Sequence, residues 1–354
     1  MAMTLLKRHV WRSVLLPIIA LLSIIVAVDG LFSFLAELES LRGDYQSLQA
    51  LQYVLTTVPR KIHDFLPLAI LLGALVGLSL LANAGELVVI RAAGISTMAV
   101  SWLVLRPVLV LLVLSAPLGE WVVPHTEQLA QSNRAIAEGG GEALRSRYGF
   151  WHREGDEFIH INAVQPAGVL FGVTRYRYNG QELQEAVFAE QAHYKGGYWQ
   201  LSAVRGTRFY PDRVENFQAD TQRWDNSVKP DLISTAALSP DNMAAAKLWE
   251  YSRYMQRQGL NAGEYLLSFW QRLFMPMATI GMVLIAITFV FGSMRSVSMG
   301  VRLTAGIVAG LLFHYGQQFT GQLSLVFNAN PLIAGIVPPL ITVLLGIYLL
   351  RRVR

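Results

Sequence analysis

The chain has 354 residues, of which 53% are hydrophobic and 15% are charged, and it contains no cysteine. Soluble domains carry roughly 25% charged residues, so this composition excludes an ordinary soluble enzyme. The lack of cysteine excludes a disulfide framework, a thiolate metal site and a cysteine nucleophile. The formal net charge of +5 is concentrated in short segments beside apolar blocks. That distribution indicates membrane topology rather than nucleic-acid binding.

Six apolar stretches are long enough to cross a bilayer, which requires about 20 helical residues. The first stretch follows three basic residues and has no small-residue cleavage site, so we interpret it as a retained helix rather than a signal peptide. The fifth stretch is the weakest, because it contains His314 and two glutamines. In chain order the predicted spans are residues 14–35, 65–84, 98–123, 273–291, 301–319 and 332–350.

Basic residues predict which side of the membrane each loop occupies, because they accumulate in cytoplasmic loops. An even number of spans places both termini on one side. The basic N-terminus, Arg91 and Arg295 between spans, and Arg351, Arg352 and Arg354 at the C-terminus all fall on that side. The sequence therefore predicts cytoplasmic termini and a polar middle region outside the cytoplasm.

The polar middle region has the pattern of β-strands. Apolar and polar residues alternate through residues 158–164, and Trp199, Leu201 and Ala203 alternate with polar neighbours. Asn179-Gly180 and Lys195-Gly196-Gly197 are turn signals at hairpin spacing. This pattern predicts an antiparallel sandwich or jelly roll.

The predicted fold class is an α-helical polytopic membrane protein with six transmembrane helices. An all-β jelly-roll domain is inserted between the third and fourth helices, outside the cytoplasm. The expected organisation is helices 1–3 in residues 1–124 with a short cytoplasmic helix at 84–95, a helical connector at 125–144, the β domain at 145–238, a connector at 239–270, and helices 4–6 in residues 271–354.

The sequence contains no catalytic or metal-binding motif: it has no phosphate-binding P-loop, no His-Glu-x-x-His helix and no nucleophile elbow. His160 fits an ordinary exposed strand position, whereas His314 in a span faces either a cavity or another helix. Asp29 is costly in lipid, which favours a structural or interfacial role over a proton relay. We therefore expect no catalytic residue, no metal and no cofactor on this chain.

The segment at 84–95 is bounded by glycines and lies between the second and third spans. Leu87 and Ile90, with Val88, fall on one face at helical spacing, and Glu86 occupies the first turn, where a carboxylate favours the helix dipole. One interpretation is an ordinary amphipathic connector. The other is a docking helix that moves with a cytoplasmic partner.

This segment, taken with Gly119-Glu120-Trp121-Val122-Val123-Pro124, Asn133-Arg134-Ala135 and residues 291–302, resembles the LptF/LptG permease family. The resemblance extends from the first span to the last. It implies a bacterial inner-membrane exporter in which two related permeases and two copies of the ATPase LptB extract lipopolysaccharide. It also implies the membrane-anchored partner LptC and the periplasmic bridge LptA. ATP and Mg²⁺ would bind to the ATPase, so this chain is not expected to be an enzyme.

The resemblance also implies functional residues. Glu86, Leu87, Ile90 and Arg91 would couple the ATPase to the spans. A multi-acyl lipid needs a wide cavity, for which the candidate lining residues are Phe32, Ser33, Phe65, Leu66, Phe313 and Phe319. Lipid phosphates call for charge-assisted hydrogen bonds, for which the candidates are Arg60, Lys61 and Arg134.

The chain departs from the family pattern at the outer end of the first span. Members of the family can carry lysines there, whereas this sequence has Ser33, Glu37 and Glu39. A basic lipid contact from the first span is therefore not expected here.

Two rival functions belong to other classes. A membrane-anchored scaffold or sensor with a ligand-binding β-sandwich would need no glycine-bounded cytoplasmic helix. An intramembrane enzyme would need catalytic side chains that converge at one depth, and the sequence offers no such set.

Overall fold

A computed structural model describes residues 2–41, 45–138, 150–164, 169–180, 182–225, 239–257, 261–292 and 297–352, together with residue 230. The chain divides into two compact units. The helical unit comprises Met1–Asp29, Arg60–Trp121 and Ala244–Arg354, and the β-containing unit comprises Gly30–Pro59 and Val122–Met243. Two of the predicted cytoplasmic basic residues, Arg295 and Arg354, lie outside the described residues.

Long α-helices make up most of the described chain. A π-helical turn, Leu118–Val122, joins the fifth helix to the sixth, and a 3-10 turn, Pro240–Asn242, precedes the seventh. The helices are α1 (Ala2–Leu38), α2 (Ser47–Thr56), α3 (Val58–Asn83), α4 (Glu86–Ala92), α5 (Thr97–Pro117), α6 (Val123–Glu138), α7 (Ala245–Arg257), α8 (Gly263–Phe291), α9 (Met299–Val326) and α10 (Pro331–Arg352).

Five helical stretches in the described part of the chain are long and apolar enough to span a membrane. They correspond to five of the six predicted spans, and they are Leu6–Leu38, Val58–Asn83, Thr97–Arg134, Gly263–Phe291 and Pro331–Arg352. The remaining predicted span lies in α9, a helix of 28 residues that contains the polar His314. Its helical structure is confirmed, and its membrane crossing stays a prediction.

α1 and α3 pack closely through two glycines of α3. A Cβ atom at Gly73 would lie 2.5 Å from the Cα atom of Ile18, and one at Gly77 would lie 2.1 Å from the carbonyl oxygen of Ser13. The atoms in the way belong to the backbone, so no side-chain rotation relieves such a clash. The N-terminal half of α1 is therefore held directly on α3, with Val14 fully buried.

The polar middle region forms one antiparallel sheet, as predicted, in which the strands are neighbours in sequence order. The turn signals are also confirmed: Asn179-Gly180 lies where β3 ends and Lys195-Gly196-Gly197 joins β4 to β5, with φ of 62° at Gly180 and 72° at Gly196. The strands are β1 (Phe150–Glu154), β2 (Glu157–Val164), β3 (Val169–Asn179), β4 (Glu182–Tyr194), β5 (Trp199–Phe209) and β6 (Val214–Trp224).

A crease crosses the sheet from β2 to β6. Each of the four ladders between β2 and β6 skips one residue pair there and resumes in the same register, and the skipped positions form a single row: Asn162, Gly172, Glu190, Ala203 and Asp220. Gly172 and Ala203 have φ of 60° and 52°. One residue per strand thus interrupts the alternation of inward and outward side chains without the extra residue that a β-bulge inserts, and we infer that the strands bend there. Because the bends lie in one row across neighbouring strands, they fold the sheet along a single line.

Apolar side chains from both sides of the crease form one buried cluster, which includes Ile161, Leu170, Val187 and Leu201. Trp224 of β6 closes this cluster: its Nε1 atom donates to Glu157 Oε2 of β2 at 3.2 Å. β2 and β6 are not neighbours in the sheet, so this hydrogen bond requires the sheet to fold over its own apolar face.

The folded single sheet differs from the sandwich or jelly roll that the sequence predicts. Every pairing among the described strands joins sequence neighbours, and the non-consecutive pairings of a jelly roll do not occur there. Ala203 also differs from the predicted alternation, because it is exposed at the crease while Val204 is buried. The alternation of apolar and polar residues predicts which side chains face the core, both in a sandwich and in a single folded sheet. It does not show where the strands bend.

Candidate coupling helix and lipid-facing residues

α4 is the short helix predicted between the second and third spans, and glycines with φ of 75° and 83° flank it. Leu87 and Ile90 are buried, as predicted for one face. Val88 was placed with them, but it is 54% exposed, and Val89 is 69% exposed. The helix therefore presents two valines on its outer side, in addition to its buried face.

Charged residues stand at both ends of α4 in the arrangement that favours the helix dipole, with Glu86 in the first turn and Arg91 in the last. Glu86 Oε2 lies 2.6 Å from His9 Nε2 of α1. The buried Leu87 shares its apolar cluster with Val10 of α1. Sequence reasoning missed His9, because 77 residues separate it from Glu86 and no local pattern relates the two helices.

Asp29 and Lys61 form an ion pair between α1 and α3. Lys61 is only 5% exposed, so its charge is compensated inside the protein by this carboxylate. The pairing gives Asp29 the structural partner that a carboxylate in an apolar span requires. Lys61, a candidate for lipid phosphate, is therefore engaged by a carboxylate of its own chain.

Arg134 is similarly engaged in the β-containing unit. Its Nη1 atom donates to Glu37 Oε1 at 2.8 Å, and its guanidinium lies over the rings of Tyr45 and Tyr53 at 5.6 and 5.2 Å. The Tyr45 hydroxyl donates to Glu37 Oε2 at 3.0 Å. Burial and this carboxylate raise the pKa of Tyr45. Glu37, which departs from the family pattern, thus serves as the counter-charge of Arg134.

The third phosphate candidate, Arg60, is half-buried on α3.

The lipid-cavity candidates differ in exposure, and Leu66 differs most from expectation because it lies in the helical core. Phe32 and Phe319 are 66% and 64% exposed, Ser33, Phe65 and Phe313 are half-buried, and Leu66 is 4% exposed.

Glu120, in the motif at residues 119–124, caps a distant helix. Its Oε2 and Oε1 atoms accept hydrogen bonds from the backbone N–H groups of Ala245 and Ala246 at 2.8 and 3.0 Å. These groups are in the first turn of α7, where N–H groups lack partners within the helix. The π-helical turn after α5 is thereby fastened to the helix that leads into α8.

The two histidines singled out in the sequence have different settings. His160 is half-buried on β2 with its ring 4.8 Å from that of Trp151, and burial lowers its pKa. His314 is exposed on α9. Among the residues that the structure describes, no group of three His, Asp or Glu side chains could hold a metal ion.

Comparisons with known proteins agree over the length of the chain. Residues 8–352 match the family described as "Lipopolysaccharide export system permease LptF/LptG". The chain is 34% identical over 352 residues to the lipopolysaccharide export system permease protein LptG of Escherichia coli K12, with 98% of both chains covered. It is 31% identical over 353 residues to LptG of Haemophilus influenzae, with 99% of both covered. The chain therefore belongs to the LptF/LptG family of lipopolysaccharide export permeases.

Proposed function

We propose that this chain is the transmembrane permease subunit of an ATP-driven exporter that extracts lipopolysaccharide from the inner membrane. It passes the lipid to a periplasmic bridge toward the outer membrane. The observation that carries this proposal is the match over 98% of the chain to proteins named as LptG permeases. The chain is a transport subunit, and ATP hydrolysis belongs to a separate cytoplasmic subunit.

The proposed topology has six spans, cytoplasmic termini and a periplasmic β domain. α9 serves as the fifth span, since its 28 residues exceed the roughly 20 that a bilayer requires. Arg91, Arg351 and Arg352 support the cytoplasmic assignment of α4 and the C-terminus. The creased sheet fills the role of the jelly-roll domain at residues 145–238, between the helical segments 1–124 and 271–354.

The proposed contact with the ATPase is made by α4. Val88 and Val89 expose apolar surface on a helix that has Glu86 in its first turn and Arg91 in its last turn, so a partner can bury the valines and pair the charges. Leu87 and Ile90 anchor the helix on its other side. Two copies of LptB would bind ATP and Mg²⁺, and this chain would bind no cofactor.

The proposed lipid cavity forms when the chain pairs with its sister permease LptF. Phe32 and Phe319 expose most of their rings, and Phe65, Phe313 and Ser33 are partly accessible. Such surface suits acyl chains once a second permease encloses it. Leu66 would contribute only if the helices around it separate, because it is now buried.

Lipid phosphates would bind at Arg60, Lys61 and Arg134, and at Lys61 and Arg134 they would bind by exchange. Lys61 and Arg134 already pair with Asp29 and Glu37, and an incoming phosphate would replace those carboxylates. Removing a partner from a buried charge is costly. In this scheme Lys61 and Arg134 are paired with a carboxylate when the lipid is absent and with a phosphate when it is bound.

The proposed periplasmic partners are LptC and LptA. β6 forms one edge of the sheet, and most of its residues are exposed. Unpaired N–H and C=O groups at an edge accept a further strand, which suits addition of a related domain. The helix of LptC would lie beside α1, whose apolar residues such as Leu16 and Ile19 are 65% and 52% exposed.

The experiment uses the complex with LptF, LptB and LptC in proteoliposomes that contain labelled lipopolysaccharide. A photo-crosslinking residue is placed at Phe32 or Phe319, and a control at Val113, which is 71% exposed on α5. We expect Phe32 and Phe319 to capture the lipid, ATP to reduce the capture, and Glu86→Lys to abolish both ATPase binding and the ATP effect. Equal capture at Val113, or ATP-driven release that persists in Glu86→Lys, would contradict the proposal.

A further inference from the structure

The two halves of α1 have different surroundings. In the N-terminal half, Val10, Val14 and Ile18 have no exposed surface. In the C-terminal half, Ile24 and Val28 are 58% and 49% exposed. The N-terminal half is thus held by apolar burial, whereas the C-terminal half has no fully buried residue and is attached through the ion pairs Asp29–Lys61 and Glu37–Arg134.

The held half contains a proline at its tightest contact. In an α-helix the carbonyl of Ser13 would accept from the backbone nitrogen of residue 17, and Pro17 has no N–H to donate. The same carbonyl oxygen would lie 2.1 Å from a Cβ at Gly77, so it faces the bare Cα of that glycine. Proline inside a helix favours bending. α1 therefore has its weakest backbone point where α3 grips it.

The N-terminal end of α1 is attached to α4. His9 bonds to Glu86, and Val10 packs in the same cluster as Leu87 and Ile90. The His9 and Glu86 side chains are 52% and 42% exposed, so the bond contributes little to folding stability. Its consequence is geometric: it fixes where the Glu86 carboxylate points and ties α4 to the start of α1.

We propose that α1 is a lever that carries movement of α4 to the outer half of the helix, and that His9 is the positioning residue that links the two. Displacement of α4 pulls the start of α1 through His9 and the Val10 contacts. α1 pivots at the Gly77 contact, where Pro17 weakens the helix, and its C-terminal half swings as the ion pairs Asp29–Lys61 and Glu37–Arg134 open. This inference rests on the proposed function, in which α4 receives the movement of the ATPase.

The test compares His9→Ala with His9→Gln in the reconstituted complex. The glutamine amide can donate to the Glu86 carboxylate, whereas alanine cannot. The control is Arg8→Gln, which removes an exposed neighbouring charge. We expect His9→Ala to lower the lipopolysaccharide released per ATP hydrolysed about three- to tenfold, the range for loss of one partly exposed charge-assisted hydrogen bond. His9→Gln should restore release, and ATPase co-purification should persist in all variants.

A distance measurement reports the lever directly. The chain has no cysteine, so within this chain spin labels attach only at Val28→Cys and at Leu273→Cys, an exposed position on α8, and the partner subunits are used in cysteine-free form. We expect the distance distribution to change with ATP in the otherwise unaltered complex and in His9→Gln, and to stop changing in His9→Ala.

The outcomes separate this inference from the proposed function. If the unaltered complex releases lipid and His9→Ala behaves like it in both measurements, the lever is wrong and the permease assignment stands. If alanine and glutamine impair release equally, His9 acts by packing and the lever is also wrong. If the unaltered complex releases no lipid with ATP, the proposed function itself fails.

Discussion

At the scale of single residues, the Arg134–Glu37 pair makes a prediction about stability. Both side chains are 12% exposed, so Arg134→Ala leaves the Glu37 carboxylate buried without its cation. Breaking a buried pair in this way costs about 3 kcal/mol. We expect Arg134→Ala to lower the midpoint of thermal unfolding in detergent. The double variant Glu37→Gln/Arg134→Ala should recover part of the loss, and a double variant no more stable than Arg134→Ala would contradict the pairing.

His160 predicts a pH dependence at the same scale. Burial lowers its folded-state pKa below the unfolded value of about 6.5, so the unfolded chain binds the proton more readily. The stability that the neutral ring contributes is present above the unfolded pKa and is lost as the pH falls through the folded pKa. Urea unfolding of the full chain should show a smaller decline at acid pH in His160→Gln than in the unaltered chain. His193→Gln, on β4, is the control, and equal slopes in all three proteins would refute the prediction.

At the scale of elements, the contact of α1 with α3 predicts that Gly77 does not tolerate a methyl group. Gly77→Ala places a Cβ against the Ser13 carbonyl oxygen, and α1 must shift. Overpacking of this kind costs about 1–3 kcal/mol. Gly316→Ala is the matched control in a long helix, since its Cβ would meet nothing within 4 Å. Unfolding of both variants in detergent checks the expectation, which fails if the two are equally stable.

The crease predicts opposite effects for two changes in one row of the sheet. Ala203 has φ of 52°, a conformation that costs a non-glycine residue about 1 kcal/mol, so Ala203→Gly removes strain. Gly172→Ala adds the same strain and brings a Cβ within 2.3 Å of the Asn162 side chain. We expect the first change to preserve or raise resistance to proteolysis in the β-containing unit, and the second to lower it. The same direction of effect for both would argue against the crease.

The helices and the sheet were predictable from the sequence to different degrees. Apolar length alone identifies the five helices that are able to span a membrane, because a bilayer requires about 20 such residues. Alternation identifies the strands, and glycines identify the turn at Asn179-Gly180. The crease was not predictable, since at Ala203 the bend is made by a residue that carries no turn signal. The fold of the sheet depends on a row of five residues far apart in sequence, and local patterns do not report such rows.

At the scale of the whole molecule, the candidate site also combines residues that a local sequence pattern predicts with contacts that depend on packing. Glu86 was singled out in a local pattern, a carboxylate in the first turn of a glycine-bounded helix, and its coupling role stays a prediction from the family resemblance. Its partner His9, and the pairing of Lys61 with Asp29, depend on how α1 packs against other helices. The sequence shows the charges of Lys61 and Arg134 but not the carboxylates that pair with them. Both residues therefore looked available to bind phosphate. Their pairing changes the expected binding step from simple attraction to exchange.

The last prediction concerns the orientation of the chain in the membrane. The absence of cysteine allows single reporters: Asn179→Cys at the end of β3, and Val89→Cys on the exposed side of α4. In intact spheroplasts a membrane-impermeant maleimide should label Asn179→Cys at once and Val89→Cys only after the membrane is permeabilised. The physical reason is the distribution of Arg91, Arg351 and Arg352, which favours the cytoplasm for α4 and the C-terminus. Labelling of Asn179→Cys only after permeabilisation would invert the topology, and α4 could then receive no movement from a cytoplasmic ATPase.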